Sequence, residues 1–371
     1  MTSISKAVSL KGRKVFLRAD FNVPLVNGKV RDGFRIGKAL KTIQFLQKKG
    51  ARIILASHIG EDGSQSLLPV SLYLKKIGVS HMFAKDVIGT KTQDIVANMS
   101  AGDIVLLENL RMEKGEKEND VAFAKKLASL ADMYVNDAFS VSHRMHASIV
   151  GVPKYIPSFA GFQLEEEIKG LSLALAPKHP FIFMLGGAKI ETKLPLLSKY
   201  VKSADGVFVG GVLVNNVLRD KGYEVGSSVT DAMKTPGPIL NSKKLMMPFD
   251  VVVEKGEMSR AVPMSEVSKG EKIVDAGLQT IKMLEPLLSK ARLVVWNGPL
   301  GYYEGGFDKA TVALLKLLSK VKAKTIIGGG DTVALVSKMK MEKSFTFVST
   351  GGGATLDFLA KGTLPGIKAL K

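Results

Sequence analysis

The residues of this chain best suited to chemistry lie in three glycine-rich turns, each directly behind an apolar run of strand length. They are Gly186-Gly187-Ala188-Lys189, Gly328-Gly329-Gly330-Asp331-Thr332 and Ser349-Thr350-Gly351-Gly352-Gly353. A turn without Cβ atoms lets backbone N–H groups come close to an anion, and a helix beginning there adds the positive end of its dipole. Such turns bind phosphate. In the first half of the chain the corresponding positions are polar and cationic instead: Arg18-Ala19-Asp20-Phe21-Asn22, Ser57-His58, Glu108-Asn109-Leu110-Arg111 and Asn136-Asp137-Ala138-Phe139, leading on to His143-Arg144-Met145-His146. Ligands of open parallel sheets sit beyond the carboxyl ends of the strands, so one half is suited to a small acid and the other to a nucleotide.

The elements that must position these residues follow from the apolar pattern. Short β-branched runs recur at Val15-Phe16-Leu17, Ile53-Ile54-Leu55, Ile104 to Leu107, Met133-Tyr134-Val135, Phe181 to Leu185, Val207-Phe208-Val209, Val251-Val252-Val253, Leu293 to Trp296, Thr325-Ile326-Ile327 and Phe345 to Val348. Amphipathic stretches such as Arg35 to Lys49 and Asp120 to Ala131 separate most of them, a pattern of parallel sheets covered on both faces. Four runs precede residue 150, six follow residue 180, and the helical segment from Gly161 to about Ala176 connects the two sets. The expected fold is α/β, with two doubly wound parallel-sheet, Rossmann-like domains joined by a connecting helix and hinge.

With 371 residues, 46% apolar and 7% aromatic, the chain has the composition of a two-domain globular protein. No stretch approaches the roughly 20 apolar residues of a membrane span, and Met1 to Arg13 lacks the apolar centre of a secretory signal, so a cytoplasmic protein is expected. The absence of cysteine excludes disulfides and thiolate metal ligands. The formal charge of +19 could indicate a nucleic-acid partner. The excess is spread evenly, however: residues 1–170 carry 25 Lys and Arg against 17 Asp and Glu, and residues 171–371 carry 28 against 17. There is no basic tail and no alternation of lysines with aromatics, so the expectation is a solvated basic surface without a specific nucleic-acid partner. A basic nucleic-acid or surface-binding protein on the same scaffold is the alternative reading. His143 and His146, three apart with no third ligand, do not make a zinc site.

Taken together, Asp20-Phe21-Asn22-Val23-Pro24, Ser57-His58-Ile59-Gly60, Leu107 to Arg111, Asn136 to Phe139, His143 to His146, Gly186 to Lys189 with Lys193, Trp296-Asn297-Gly298-Pro299-Leu300-Gly301, Gly328 to Thr332 and Ser349 to Ala354 resemble phosphoglycerate kinase from end to end. Their joint occurrence in this order is specific. The resemblance implies reversible phosphoryl transfer from 1,3-bisphosphoglycerate to Mg-ADP, giving 3-phosphoglycerate and ATP, by a monomer whose two domains close over the substrates. It places a phosphoglycerate-binding domain at 1–160, an interdomain helix at 161–176, a nucleotide-binding domain at 177–357, and at 358–371 a tail returning to the first domain, carried by Leu364-Pro365-Gly366-Ile367.

The resemblance also assigns roles. Asp20 and Asn22 would bond the hydroxyl and carboxylate region of the phosphoglycerate; His58, Arg111 and Arg144 would hold its phosphate. Arg35, Lys189 and the backbone at Gly352 would attend the transferring phosphoryl group, and Lys193 the nucleotide α-phosphate. Gly330 and Thr332 would present helix N-terminal N–H groups to the phosphates, Gly187 and Gly329 would belong to the nucleotide-binding set, and Asp331 would engage Mg2+. Asn297, Pro299, Gly301 and Glu304 would line the nucleotide pocket, Glu304 reaching the ribose, while Gly210 and Gly211 form part of the adenine slot. Lys189 and Lys193, four apart, would share a helix face. Neither Gly-x-x-x-x-Gly-Lys-Ser/Thr nor Gly-x-Gly-x-x-Gly occurs, which disfavours a P-loop kinase and a dinucleotide dehydrogenase. The chain departs from the family after Ser57-His58-Ile59-Gly60, where Glu61-Asp62 replaces the usual arginine and proline; an inward Glu61 would repel an anion and weaken phosphoglycerate binding.

Overall fold

Apolar runs with no polar interruption can be buried on both faces, and here they form the central strands of two parallel sheets. The computed structural model describes residues 1–188 and 190–370, so the predicted catalytic Lys189 lies outside the described residues. Contacts divide the chain into two units: Met1–Lys169 together with Thr363–Lys371, and Gly170–Gly362.

The first unit contains β1 (Lys14–Arg18), β2 (Arg52–Ala56), β3 (Met82–Phe83), β4 (Ile104–Leu106), β5 (Met133–Asn136) and β6 (Ser158–Ala160). All pair in parallel, in the order β3-β4-β2-β1-β5-β6. The order in which strands are added reverses between the parallel neighbours β1 and β5, where Val15 stands beside Met133, so their carboxyl ends open a crevice. Helix Phe34–Lys48 buries Ile36, Ala39, Thr42, Ile43 and Leu46, one face at helical spacing, against the core that includes Val15, Leu17, Ile53 and Leu55. Truncating Leu46 to alanine would cost about 2–5 kcal/mol by leaving a cavity in this layer. The last turn of the chain, Pro365–Lys368, belongs to this unit: the Gly366 N–H donates to the Ser142 carbonyl at 2.8 Å, and Leu364 and Leu370 are buried.

The second unit contains β7 (Phe181–Leu185), β8 (Gly206–Val209), β9 (Leu245–Met246), β10 (Asp250–Lys255), β11 (Met258–Pro263), β12 (Lys272–Ala276), β13 (Leu293–Asn297), β14 (Lys324–Gly328) and β15 (Phe347–Val348). Six of these form a parallel sheet in the order β9-β8-β7-β13-β14-β15, the doubly wound 3-2-1-4-5-6 arrangement with its reversal between β7 and β13. The Val251-Val252-Val253 run corrects the expectation of uniformly parallel strands, because it lies in β10, the middle of a three-stranded antiparallel sheet. Half-buried Val252 and Glu254 and the exposed residues Met258 to Ala261 of β11 give this sheet one solvated side, which a central parallel strand lacks. The connecting helix also ends earlier than expected, at Phe162–Ser172. Bonds from Ala174 to Leu171 and from Leu175 to Ser172 tighten its exit ahead of Pro177.

Candidate active site

In the first unit, the ends of β1 and β2 are tied by Ser57, whose hydroxyl donates to the Ala19 carbonyl and accepts from the Phe21 N–H, both at 2.8 Å. This bond sets Asp20 and Asn22 beside His58. Asp20 is nearly buried and accepts three bonds: from Arg35 Nη1 at 3.2 Å, from the Ser140 hydroxyl at 2.5 Å and from the Asn22 N–H at 3.0 Å. Arg35 sits in the first turn of helix Phe34–Lys48, whose Phe34 N–H is capped by Asp32, and it also donates to the Asn22 carbonyl. The guanidinium is thus anchored yet partly exposed at the crevice.

Asn109 holds the second cation. Its side chain accepts from the Ile59 and Arg111 N–H groups and donates to the Ile59 and Gln65 carbonyls, locking the loop after His58 to the turn Leu110–Met112. Arg111 Nη1 donates to the Gly60 carbonyl at 2.5 Å and pairs with Glu61 Oε2 at 3.1 Å, while its buried Nε has no hydrogen-bond partner. Glu61 therefore bonds the very guanidinium assigned to the substrate phosphate, from a side chain that is 83% exposed. Asn22 Oδ1 accepts from the Gly60 N–H, completing the loop's attachment to β1. Arg144 is exposed, in the segment after β5.

Beneath these groups lies a buried network that the sequence did not single out. Arg18, 1% exposed, donates to the Ser148 hydroxyl, the Ala19 carbonyl and His58 Nδ1. Glu116, fully buried, accepts from the Ser148 hydroxyl and N–H within the π-helical turn Ala147–Gly151, and Tyr134 donates to the Ser148 carbonyl. Burial raises the Glu116 carboxyl and lowers the Arg18 guanidinium. In sequence, Glu116 sits in a run of charges that reads as a solvated helix face. Burial, with help from the neighbouring arginines, pushes His146 down to about 4, and His58 also falls well below its ordinary value.

In the second unit the strand ends at the reversal point are fused backbone to backbone. The Gly186 N–H donates to the Asn297 carbonyl and that of Gly187 to the Pro299 carbonyl, at 2.9 and 2.7 Å. A Cβ on Gly298, where φ is +91°, would meet the Gly186 oxygen at 2.5 Å, and one on Gly329, at φ +95°, would meet the Gly298 nitrogen at 2.7 Å. Glycine is required there for close approach. This corrects part of the sequence reading: the Gly187 N–H is already bonded, as is that of Gly351 to the Ser349 hydroxyl. The N–H groups suited to phosphate lie instead at the helix starts Gly330–Lys338 and Gly353–Lys361, where Gly330, Asp331, Thr332 and Gly353 have no carbonyl of their own helix to reach. Gly352 leads into the latter helix at φ +53°.

The buried Lys193 ammonium donates to the carbonyls of Gly186 and Ala188, setting a positive charge in the first glycine turn. Two buried donors near the strand ends, Asn297 Nδ2 and the Thr332 hydroxyl, have no partner. Beside them opens a cleft of about 380 Å³ lined by Gly187, Gly211, Pro299, Gly301, Glu304 and Asp331, with Tyr302, Tyr303 and Asp275. Lys193, Asn297, Gly329, Gly330 and Thr332 do not line it, and their places at its strand and helix ends suit phosphates more than a base; Gly210, also outside the lining, directly precedes Gly211 at the start of the helix Gly211–Asp220. Desolvation raises the Asp331 carboxyl, reinforced by Glu304 and opposed by Lys193. No cluster of three metal-ligating side chains occurs among the described residues. A half-buried carboxylate whose charge Lys193 offsets only in part suits Mg2+ that brings its other ligands with a nucleotide.

A protein-family model described as phosphoglycerate kinase matches residues 5–362. A phosphoglycerate kinase of Pseudothermotoga lettingae is 40% identical over 98% of this chain and 97% of its own, and one of a Wolbachia species is 41% identical over 98% and 96%. Among solved structures, phosphoglycerate kinase from Coxiella burnetii superposes with a TM-score of 0.82 at 35% identity, covering 99% of this chain and 98% of its own. That from Pyrococcus horikoshii gives 0.90 at 29%, covering 100% and 98%.

Proposed function

The chain belongs to the phosphoglycerate kinase family, an enzyme that transfers phosphate to a carboxyl acceptor, and from that premise we propose how its residues divide the work. Asp20 and Asn22 orient the hydroxyl and carboxylate end of 3-phosphoglycerate or 1,3-bisphosphoglycerate. His58, Arg111 and Arg144 hold its phosphate, with Arg111 Nε as the spare donor. The nucleotide occupies the 380 Å³ cleft, with Gly210, Gly211, Pro299 and Gly301 at the base and Glu304 at the ribose. Lys193, Asn297, Gly329, Gly330 and Thr332 receive its phosphates. Asp331 is the residue to hold Mg2+, which when bound neutralises phosphate charge.

Transfer runs from the acyl phosphate to ADP and back, giving 3-phosphoglycerate and ATP, in the manner of a glycolytic enzyme. A carboxylate oxygen needs no base to accept a phosphoryl group, so catalysis reduces to positioning and charge neutralisation. Arg35, Lys189 and the amides around Gly352 supply that charge. Water would hydrolyse an acyl phosphate, and we propose that the two units close over both substrates during turnover. The enzyme acts as a cytoplasmic monomer, with its basic surface solvated and no specific nucleic-acid partner.

The observation that carries this reading is the arrangement at the β1 strand end, where Asp20 and Asn22 lie between two anchored cations, Arg35 bonded to both and Arg111 held beside them through Gly60. A coupled assay with 3-phosphoglycerate and Mg-ATP tests it. NADH oxidation that depends on both substrates is expected; no turnover with either nucleotide direction would overturn the reading.

A further inference from the structure

We propose that Arg18 is a positioning residue that fixes His58 as its Nε2–H tautomer, so that His58 meets the substrate phosphate as a neutral hydrogen-bond donor and not as a cation. The phosphate contact rests on the function proposed above; the tautomer does not.

A guanidinium has donors and no acceptor. Arg18 Nη2 stands 3.1 Å from His58 Nδ1, so Nδ1 must accept and the ring proton must sit on Nε2. The guanidinium cannot turn away, because Nε donates to Ser148 Oγ at 2.9 Å and Nη1 to the Ala19 carbonyl at 2.5 Å. Ser148 has one hydroxyl proton, and with Oγ accepting from Arg18 it goes to Glu116 Oε1, 2.6 Å away. The Ser148 N–H occupies Glu116 Oε2 at 2.9 Å. The donors thus run outward from Arg18, to His58 Nδ1 on one side and through the Ser148 hydroxyl to a fully buried carboxylate on the other. Burying a carboxylate and a guanidinium is a poor route to stability, as similar apolar side chains would pack at no electrostatic cost. Fixing the direction of one imidazole is what this network does that an apolar core could not.

The surroundings of His58 agree. Arg18 faces it from β1, Arg111 from the turn after β4, His146 from the segment after β5 and Arg35 from helix Phe34–Lys48, and each disfavours a second proton on a ring that burial already holds neutral. Asp20, the acidic group at the same strand end, is engaged by Arg35 and Ser140.

Nitrogen-resolved NMR of the 15N-labelled protein, with His58 assigned through His58→Gln, reads the tautomer directly. A bare Nδ1 and protonated Nε2, unchanged between about pH 8 and pH 5.5, is expected; a tautomer mixture, or a doubly protonated ring growing in near the ordinary histidine value of about 6.5, overturns the proposal. Kinetics tests the donor. Glutamine places an amide N–H near the Nε2 position and asparagine near Nδ1, so His58→Gln should keep the KM for 3-phosphoglycerate within about threefold while His58→Asn raises it about tenfold or more, both leaving the KM for Mg-ATP unchanged. Equal impairment of the two overturns the proposal. Arg18→Lys retains a donor and should preserve the tautomer, whereas Arg18→Met should mix it; if Arg18→Met does not fold, the wild-type spectrum and the His58 pair decide. A wild type that does not turn over 3-phosphoglycerate sinks the functional reading while the spectra still decide the tautomer.

Discussion

Glu61 Oε2 lies 3.1 Å from Arg111 Nη1, so an acidic side chain of the loop bonds the cation proposed to hold the substrate phosphate. The carboxylate is 83% exposed and the guanidinium side chain 5%, so solvent screens the pair and its worth is small. Substrate binding must displace or tolerate that charge. Glu61→Gln should therefore lower the KM for 3-phosphoglycerate by about two- to fivefold at low ionic strength, and less at high salt. Glu61→Arg should lower it further. Steady-state kinetics at two salt concentrations measures both, and a KM unchanged or raised in both variants would contradict the account.

Ser140 donates to Asp20 Oδ2 at 2.5 Å, the same oxygen that Arg35 reaches at 3.2 Å. Removing the hydroxyl frees Asp20 and Arg35 to rotate without removing charge. Ser140→Ala should raise the KM for 3-phosphoglycerate by about three- to tenfold, as expected for one lost bond to a charged group, and leave that for Mg-ATP unaffected. Equal effects on the two substrates would show the bond to be merely structural.

The tail tests a different link. Gly366 donates to Ser142, and Ala369 packs on the buried cluster of Ala138, Val141, Ile149 and Val150. Ending the chain after Gly362 uncovers that cluster and the buried Leu364 and Leu370. It should destabilise the first unit by about 2–5 kcal/mol and lower turnover more than nucleotide affinity. Denaturant melting with nucleotide titration reads both, and unchanged turnover in a folded truncated protein would refute the role of the tail.

Asp275 lines the cleft, and desolvation pushes its carboxyl up to about 7 against the bonds from Ala276 and Ala310. Its unfolded value is near 3.8, so between there and about 7 the folded chain holds a proton that the unfolded chain does not. The contribution of this group to stability therefore falls as pH rises through that window. Buried Asp137, also near 7, acts in the same sense, whereas His146, lowered to about 4, opposes them by gaining stability as pH rises towards its unfolded value. Asp275→Asn removes one group from this balance. The stability gap between wild type and Asp275→Asn should narrow from about pH 5 to pH 8 in chemical denaturation, and a gap that widens would contradict the assignment.

Much of this was legible in the sequence. Unbroken apolar runs located the central strands, and the polar and glycine residues behind them marked the ends of β1, β2, β4, β5, β13 and β14, because burial on both faces leaves little freedom in composition. Short edge strands such as Met82–Phe83 and Ser158–Ala160 carried no pattern, as two or three residues do not establish a period. Val251-Val252-Val253 misled because an apolar run does not encode the direction of its neighbours. The Arg18, Ser148 and Glu116 network was invisible for a related reason: its members are far apart in sequence, and each has a commonplace surface reading until the fold buries it. Glycine runs marked close backbone approach correctly, yet could not tell a bonded N–H such as that of Gly187 from one open to an anion.

The central claim is that the acid and the nucleotide are held by separate sets of residues, one in each unit. Calorimetric titration of Arg111→Ala and Asp331→Asn with 3-phosphoglycerate and with Mg-ADP tests it most directly. The account predicts that Arg111→Ala loses 3-phosphoglycerate binding and keeps Mg-ADP, while Asp331→Asn loses Mg-ADP and keeps 3-phosphoglycerate. If folded Arg111→Ala lost Mg-ADP as well, or folded Asp331→Asn lost 3-phosphoglycerate, the claim would be contradicted.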